Sequence, residues 1–111
     1  MTISQGQIWL AAFSPTVGHE QSGTRPCIVV SGRRFNAMPI QLALVVPITS
    51  RNRNLPHHVR VSDDGSLNRA SWAMCEAVRS ISTDRLRSQI GTADDETVAE
   101  ILSQLSLWFD A

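Results

Sequence analysis

Hydrophobic positions along the chain fall into five short runs, 7–13, 26–31, 42–49, 58–62 and an interrupted fifth at 72–81. These runs are rich in Val, Ile, Leu and Trp and are punctuated by clusters of Gly, Pro, Asn and Asp, the pattern of short strands. "HHVRVS" alternates, with Val59 and Val61 facing one way and His58, Arg60 and Ser62 the other. "CIVV" and "LALVV" are apolar on both faces, which suits strands of a small closed barrel or strands lying under a partner subunit. No helix-period segment separates the runs, so an antiparallel barrel is expected rather than a parallel sheet. The end of the chain changes period: Val98, Ile101, Leu102, Leu105, Trp108 and Phe109 recur at helical spacing. Thr92 is the expected N-cap, with Asp94, Asp95 and Glu96 in the first turn complementing the helix dipole. The apolar stripe, Trp108 included, is expected to pack on the barrel.

A length of 111 residues predicts one domain over 1–111, and 42% hydrophobic with 18% charged residues is the composition of a folded chain. The start lacks a signal-peptide pattern and the longest apolar stretch, "LALVVPI", is too short to cross a bilayer, so a cytoplasmic protein without membrane association is expected. Cys27 and Cys75 each sit in an apolar run and are expected to be buried free thiols. A net charge of +0 conceals a split: six Arg against Glu20 up to Arg60, then four Arg against nine acids from Val61 onward. All ten basic residues are Arg, whose planar guanidinium fork matches phosphate oxygens.

Metal-ligand clusters, Gly-rich phosphate loops and nucleophile elbows are absent from the sequence patterns. The adjacent His57 and His58 have no third ligand at a suitable spacing, so neither a metal site nor a cofactor is expected. The polar groups that remain lie beside strands. His19, Glu20 and Gln21 precede Arg25, which is fixed before Pro26 at a strand start; Thr49, Ser50, Arg51 and Arg53 leave the third strand; Glu76 follows Cys75 in the fifth. A permanent cation, hydroxyl donors, a carboxylate and an imidazole form a set suited to phosphodiester chemistry. RNA is the simplest substrate for such a set, because its own 2′-OH supplies the nucleophile. Each group also has a structural use: Arg25 paired with Glu20, Thr49 and Ser50 bonding the backbone at a strand end, Glu76 paired with Arg79, and Arg51 and Arg53 in a solvated loop.

The ordered set "GQIWLAAFSPTVGHEQSGTRPCIVVS", "FN" at Phe35 and Asn36, "VVPITS" at 45–50, "MCEAVRSIS" at 74–82 and "RLRSQIG" at 85–91 resembles the MazF/PemK (Kid) toxins of bacterial toxin–antitoxin systems over nearly the whole chain. The resemblance implies a five-stranded SH3-like barrel with a C-terminal helix, a homodimer, and an antitoxin protein partner. It further implies metal-independent cleavage of single-stranded RNA to a 2′,3′-cyclic phosphate and a 5′-OH. In the family pattern Arg25 and Thr49 form the catalytic core, with His19 matching the His of "GHEQ" and Glu76 standing where one branch has an acidic residue proposed as general base. Ser50, Arg51, Arg53, Asn36, Glu20 and Gln21 are the expected RNA contacts. Two departures stand out. Met74 and Ala77 replace the Arg and Gln of that branch's "RCDQ", and Glu76 replaces its shorter aspartate. The competing readings are a gyrase-poisoning toxin on the same fold, against which the expected burial of Trp108 argues, and a non-catalytic SH3-like binding module.

Overall fold

The computed structural model describes residues 2–13 and 23–110. Seven strands form one antiparallel sheet: β1 (Gln7–Ala12), β2 (Thr24–Val29), β3 (Leu42–Thr49), β4 (His58–Arg60), β5 (Trp72–Met74), β6 (Arg79–Ser82) and β7 (Leu86–Thr92). A one-turn helix α1 (Arg33–Asn36) follows β2, and helix α2 (Asp95–Ser106) closes the chain. The ladder runs β4-β5-β3-β2-β1-β7, with β6 also paired to β3. It is not closed by a strand pair. Instead its two ends meet through a single bridge between Asp63 and Ala93, with Asp64 N–H donating to Thr92 O at 3.2 Å and Asp94 N–H to Ser62 O at 2.8 Å.

The expected fifth strand divides into β5 and β6 at a 3-10 turn, Cys75–Ala77. Pro47 explains where. It brings no N–H to the ladder, and at this residue β3 changes partner on that side, from β6 (ending opposite Val45) to β5 (beginning opposite Ile48). The intervening chain forms that turn, with Cys75 buried and Glu76 on its exposed side.

The two-residue period of the strands sorts the apolar side chains into two buried clusters. Ile8, Ile28, Val46, Ile48, Val59 and Val61 face α2, whose Ile101 and Leu105 complete that cluster. Trp9, Ala11, Phe13, Cys27, Val29, Val45 and Ile81 occupy the other face. Both faces of "CIVV" and "LALVV" are therefore covered within one chain. Burying an aliphatic side chain of this kind stabilises by about 1.5–3 kcal/mol, so Ile101 and Leu105 anchor the helix. Thr97 adds a polar tie: its Oγ1 accepts from Ser62 N–H at 3.0 Å and donates to Ser62 O at 3.3 Å.

The C-terminal reading needs two corrections. Thr92 ends β7 and Asp94 holds the N-cap position, in extended backbone, so the helix starts two residues later than expected. Beyond Ser106 the chain tightens into a 3-10 turn, Leu107–Phe109. That change of pitch rotates the stripe away from the sheet, leaving Leu107, Trp108 and Phe109 exposed, Trp108 at 45%. Cys27 and Cys75 are buried and free. No helix among the described residues is long and apolar enough to cross a membrane.

Candidate active site

Strand register decides which of the candidate residues meet. β2 and β3 pair Val29 with Val45, Ile28 with Val46 and Cys27 with Pro47. Continuing outward in that register sets Arg25 opposite Thr49. Both line one surface pocket of about 420 Å³, together with Pro26, Ile48, Ser50 and Arg51. Its far wall is Leu67, Asn68, Arg69 and Ser71, delivered by the segment between β4 and β5. Three guanidinium-bearing residues and three hydroxyl-bearing residues thus converge, and no carboxylate lines the pocket among the described residues. Such a pocket attracts anions, and a phosphate in it would meet fork-shaped donors from more than one side.

Thr49 Oγ1 accepts a hydrogen bond from Arg51 N–H at 3.1 Å, shaping the turn that leaves β3. This backbone role does not consume the hydroxyl proton, which remains available to an acceptor in the pocket. Ser71 is committed locally, its Oγ donating to Arg69 O at 2.9 Å. Beside the pocket, Trp72 pairs with Thr49 across β3 and β5, and the Arg60 guanidinium lies over its ring at 5.3 Å.

Other expected residues lie apart. Asn36 lines a separate cavity with Thr2, Ile3 and Arg33. Its side chain is engaged in structure: Oδ1 accepts from Ser31 Oγ at 2.6 Å and Nδ2 donates to Ser31 O at 2.9 Å. Arg53 is exposed in the loop after β3 and does not line the pocket. Glu76 sits on the 3-10 turn, four residues past Trp72, the ladder partner of Thr49. It meets neither the pocket nor Arg79. Its Oε2 lies 3.0 Å from His58 Nε2 and its Oε1 3.5 Å from His57 Nε2. Sequence spacing did not show this meeting, because it depends on the β4–β5 ladder, which sets His58 opposite Met74, two residues before Glu76. His19, Glu20 and Gln21 lie outside the described residues. The thiols offer no nucleophile: burial pushes Cys27 up to about 12, and burial reinforced by the Glu76 charge pushes Cys75 up to about 11.

Asn68 and Arg69 are pocket residues that the sequence reading missed. Nothing local marks "SLNRAS" as part of a site; only the pairing of β5 with β3 brings it beside Thr49.

Residues 4–109 match the family described as PemK-like, MazF-like toxin of type II toxin-antitoxin system. The chain belongs to this family. Among curated PemK/MazF relatives, Endoribonuclease EndoA of Bacillus subtilis (strain 168) is 32% identical over 111 residues, spanning 96% of this chain and 94% of that protein. Endoribonuclease MazF9 of Mycobacterium tuberculosis (strain ATCC 25618 / H37Rv) is 34% identical over 112 residues, spanning 96% and 95%. Among solved structures, MazF from Deinococcus radiodurans superposes with a TM-score of 0.83 at 26% identity, covering 98% of this chain and 97% of that one. An endoribonuclease in complex with its cognate antitoxin, from a mycobacterial species, shares the fold at a TM-score of 0.79 and 18% identity, covering 96% and 94%. The antiparallel sheet with its C-terminal helix is thus a MazF-like fold, and the Arg25–Thr49 pocket is the candidate active site of a PemK/MazF toxin.

Proposed function

We propose that this chain is the endoribonuclease toxin of a type II toxin–antitoxin system, cleaving single-stranded RNA at the pocket shared by Arg25 and Thr49. The observation that carries the proposal is the convergence of those two residues, with Arg51 and Arg69 flanking them, on a pocket whose described lining holds no acid. The relatives EndoA and MazF9, named endoribonucleases and matched along nearly their full length, support the same reading.

In this mechanism the 2′-oxygen of the substrate attacks the adjacent phosphorus, forming the O2′–P bond as the P–O5′ bond breaks. The products are a 2′,3′-cyclic phosphate and a 5′-OH. Arg25 stabilises the negative charge that grows on the non-bridging oxygens, and Thr49 and Ser50 donate to the same phosphate. Removing one such donor typically costs about 10²–10³ in kcat. The 2′-OH proton goes to a general base, for which His19 and Glu76 are the candidates. Glu76 is drawn to the histidine pair within its own protomer, so the assignment favours His19, six residues before Arg25 in the sequence. The departing 5′-oxygen takes its proton from water held by the arginines. Arg51, Arg53 and Arg69 supply salt-dependent backbone affinity. The working form in this proposal is a cytoplasmic homodimer silenced by a cognate antitoxin; the mycobacterial endoribonuclease, of the same fold, is in complex with its cognate antitoxin.

Exposure of Trp108 removes the burial argument against gyrase poisoning, and the endoribonuclease relatives now carry the choice between the two. The deciding experiment is incubation of the purified chain with an unstructured RNA oligonucleotide in EDTA, with mass spectrometry of the product ends. Cyclic phosphates that disappear in Arg25→Ala, at an unchanged urea midpoint, support the proposal. Intact RNA with gyrase-linked DNA breaks refutes it, and intact RNA that is nonetheless bound leaves a binding module.

A further inference from the structure

The geometry points to a second site: His57, His58 and Glu76 form a three-ligand centre for a late first-row divalent cation of the zinc type. The three side chains come from two elements, the turn that starts β4 and the 3-10 turn after β5, and their ligand atoms all lie within 4.8 Å of one another. In a tetrahedral site with bonds of about 2.0–2.1 Å, neighbouring ligand atoms are separated by roughly 3.3–3.4 Å. The two carboxylate oxygens lie one against each ring, Oε2 at 3.0 Å from His58 Nε2 and Oε1 at 3.5 Å from His57 Nε2, so a small turn of the carboxylate sets one oxygen near that spacing from both. The remaining adjustment falls on His57, whose side chain is 28% exposed and able to turn toward an ion.

His58 is held for the role. Its side chain is only 2% exposed, its Nε2 faces Glu76, and its Nδ1 is buried without a hydrogen-bond partner. Two imidazoles and one carboxylate form a borderline nitrogen–oxygen set, suited to Zn²⁺, Ni²⁺, Co²⁺ or Cu²⁺ rather than Mg²⁺ or Ca²⁺, which favour oxygen ligands. Three protein ligands leave a fourth position open to water. The centre lies apart from the Arg25–Thr49 pocket, and an ion bound there staples β4 to the bulge after β5.

The structure also supplies a probe. The Trp108 ring lies 6.1 Å from His57, so a paramagnetic ion at the centre quenches its emission. The test titrates the untagged full chain with Zn²⁺ by calorimetry and with Cu²⁺ by tryptophan fluorescence. The expected result is one equivalent bound per chain, a raised Tm with Zn²⁺, and affinity reduced by at least about tenfold in both His57→Ala and Glu76→Gln. Both substituted side chains are partly exposed, so these variants are expected to fold; Trp108→Phe should lose most of the quenching while keeping the calorimetric binding. Absence of saturable binding up to about 1 mM ion overturns the inference. So does equal affinity in wild type and both variants, since the ion then binds elsewhere.

Discussion

Gly91 lies on β7 opposite Ile8, and the segment that joins β4 to the pocket wall packs over its open face. A methyl group at this position would overlap Ser66 Oγ, lie 2.5 Å from Ser66 Cβ and lie 2.7 Å from Asp64 Oδ1. Rotating the serine clears its hydroxyl but not its Cβ, which moves only with the backbone. To restore an ordinary contact of at least 3.4 Å, strand or loop must shift by roughly 1 Å. That shift strains the bonds that close the sheet: Ser66 Oγ to Asp63 Oδ2 at 2.8 Å, Leu67 N–H to the same oxygen at 3.0 Å, and Asp64 N–H to Thr92 O. Overpacking of this kind costs about 1–3 kcal/mol, which lowers Tm by about 4–8 °C per kcal/mol in a domain of this size. Because Leu67, Asn68 and Arg69 continue from this loop into the pocket wall, Gly91→Ala is also expected to raise KM for RNA in the remaining folded protein. Urea unfolding of Gly91→Ala, Ser66→Gly and the double variant measures the clash. Ser66→Gly removes the obstructing atoms, so the double variant should be more stable than the sum of the single effects by about 1 kcal/mol or more. A Gly91→Ala loss below about 0.5 kcal/mol, or a loss that Ser66→Gly does not relieve, refutes the reasoning.

Three further outcomes are expected. The buried Cys27 thiol keeps its proton in the folded state up to about pH 12, against 9.0 for an ordinary thiol, so its contribution to stability is complete below about pH 9 and lost as pH rises toward 12. Unfolding free energies from urea titrations across that window should fall by up to about 1.4 kcal/mol per pH unit more steeply in wild type than in Cys27→Ala; parallel slopes would contradict the assignment. Asn36→Ala leaves Ser31 Oγ and Ser31 O without their amide partner and is expected to cost about 1–3 kcal/mol in chemical denaturation, whereas a neutral result would mean that this network carries no load. Arg69→Ala should weaken RNA binding about equally across sequences and reduce the slope of log affinity against log salt by about 1; an unchanged slope would remove Arg69 from the phosphate contacts.

The parts of the fold legible in the sequence are those where burial writes a pattern. Continuous apolar runs gave β2 and β3 because both faces of these strands are covered, and alternation gave Val59 and Val61. β7 was not legible from periodicity, because "LRSQIGT" buries only Leu86 fully and is held to β1 chiefly through its backbone. Val98, Ile101 and Leu105 mark the helix correctly, yet extending the same phase to Trp108 fails once the last turn tightens to 3-10. Periodicity carries no information past the point where the pitch changes.

The candidate site follows a different logic, since its residues are assembled by register rather than by local pattern. Arg25 and Thr49 were legible as a pair only through family resemblance; the ladder supplies the physical reason, because the alignment that joins Cys27 to Pro47 leads these two positions to the same edge of the sheet. The same proline ends the pairing of β3 with β6, and the turn between β5 and β6 carries Glu76. The ladder of β5 with β4, which sets His58 opposite Met74, keeps Glu76 on that turn beside the histidine pair and outside the phosphate pocket. A side chain at position 47 with an N–H would favour a continuous β5–β6 strand, and loss of the 3-10 turn would change the spacing between His58 and Glu76, which lies two residues past His58's ladder partner Met74. On this argument Pro47→Ala should loosen the contact of Glu76 with His58. Histidine and carboxyl chemical shifts in Pro47→Ala and wild type measure that contact, and identical shifts would show that the bulge is set by something other than the missing donor.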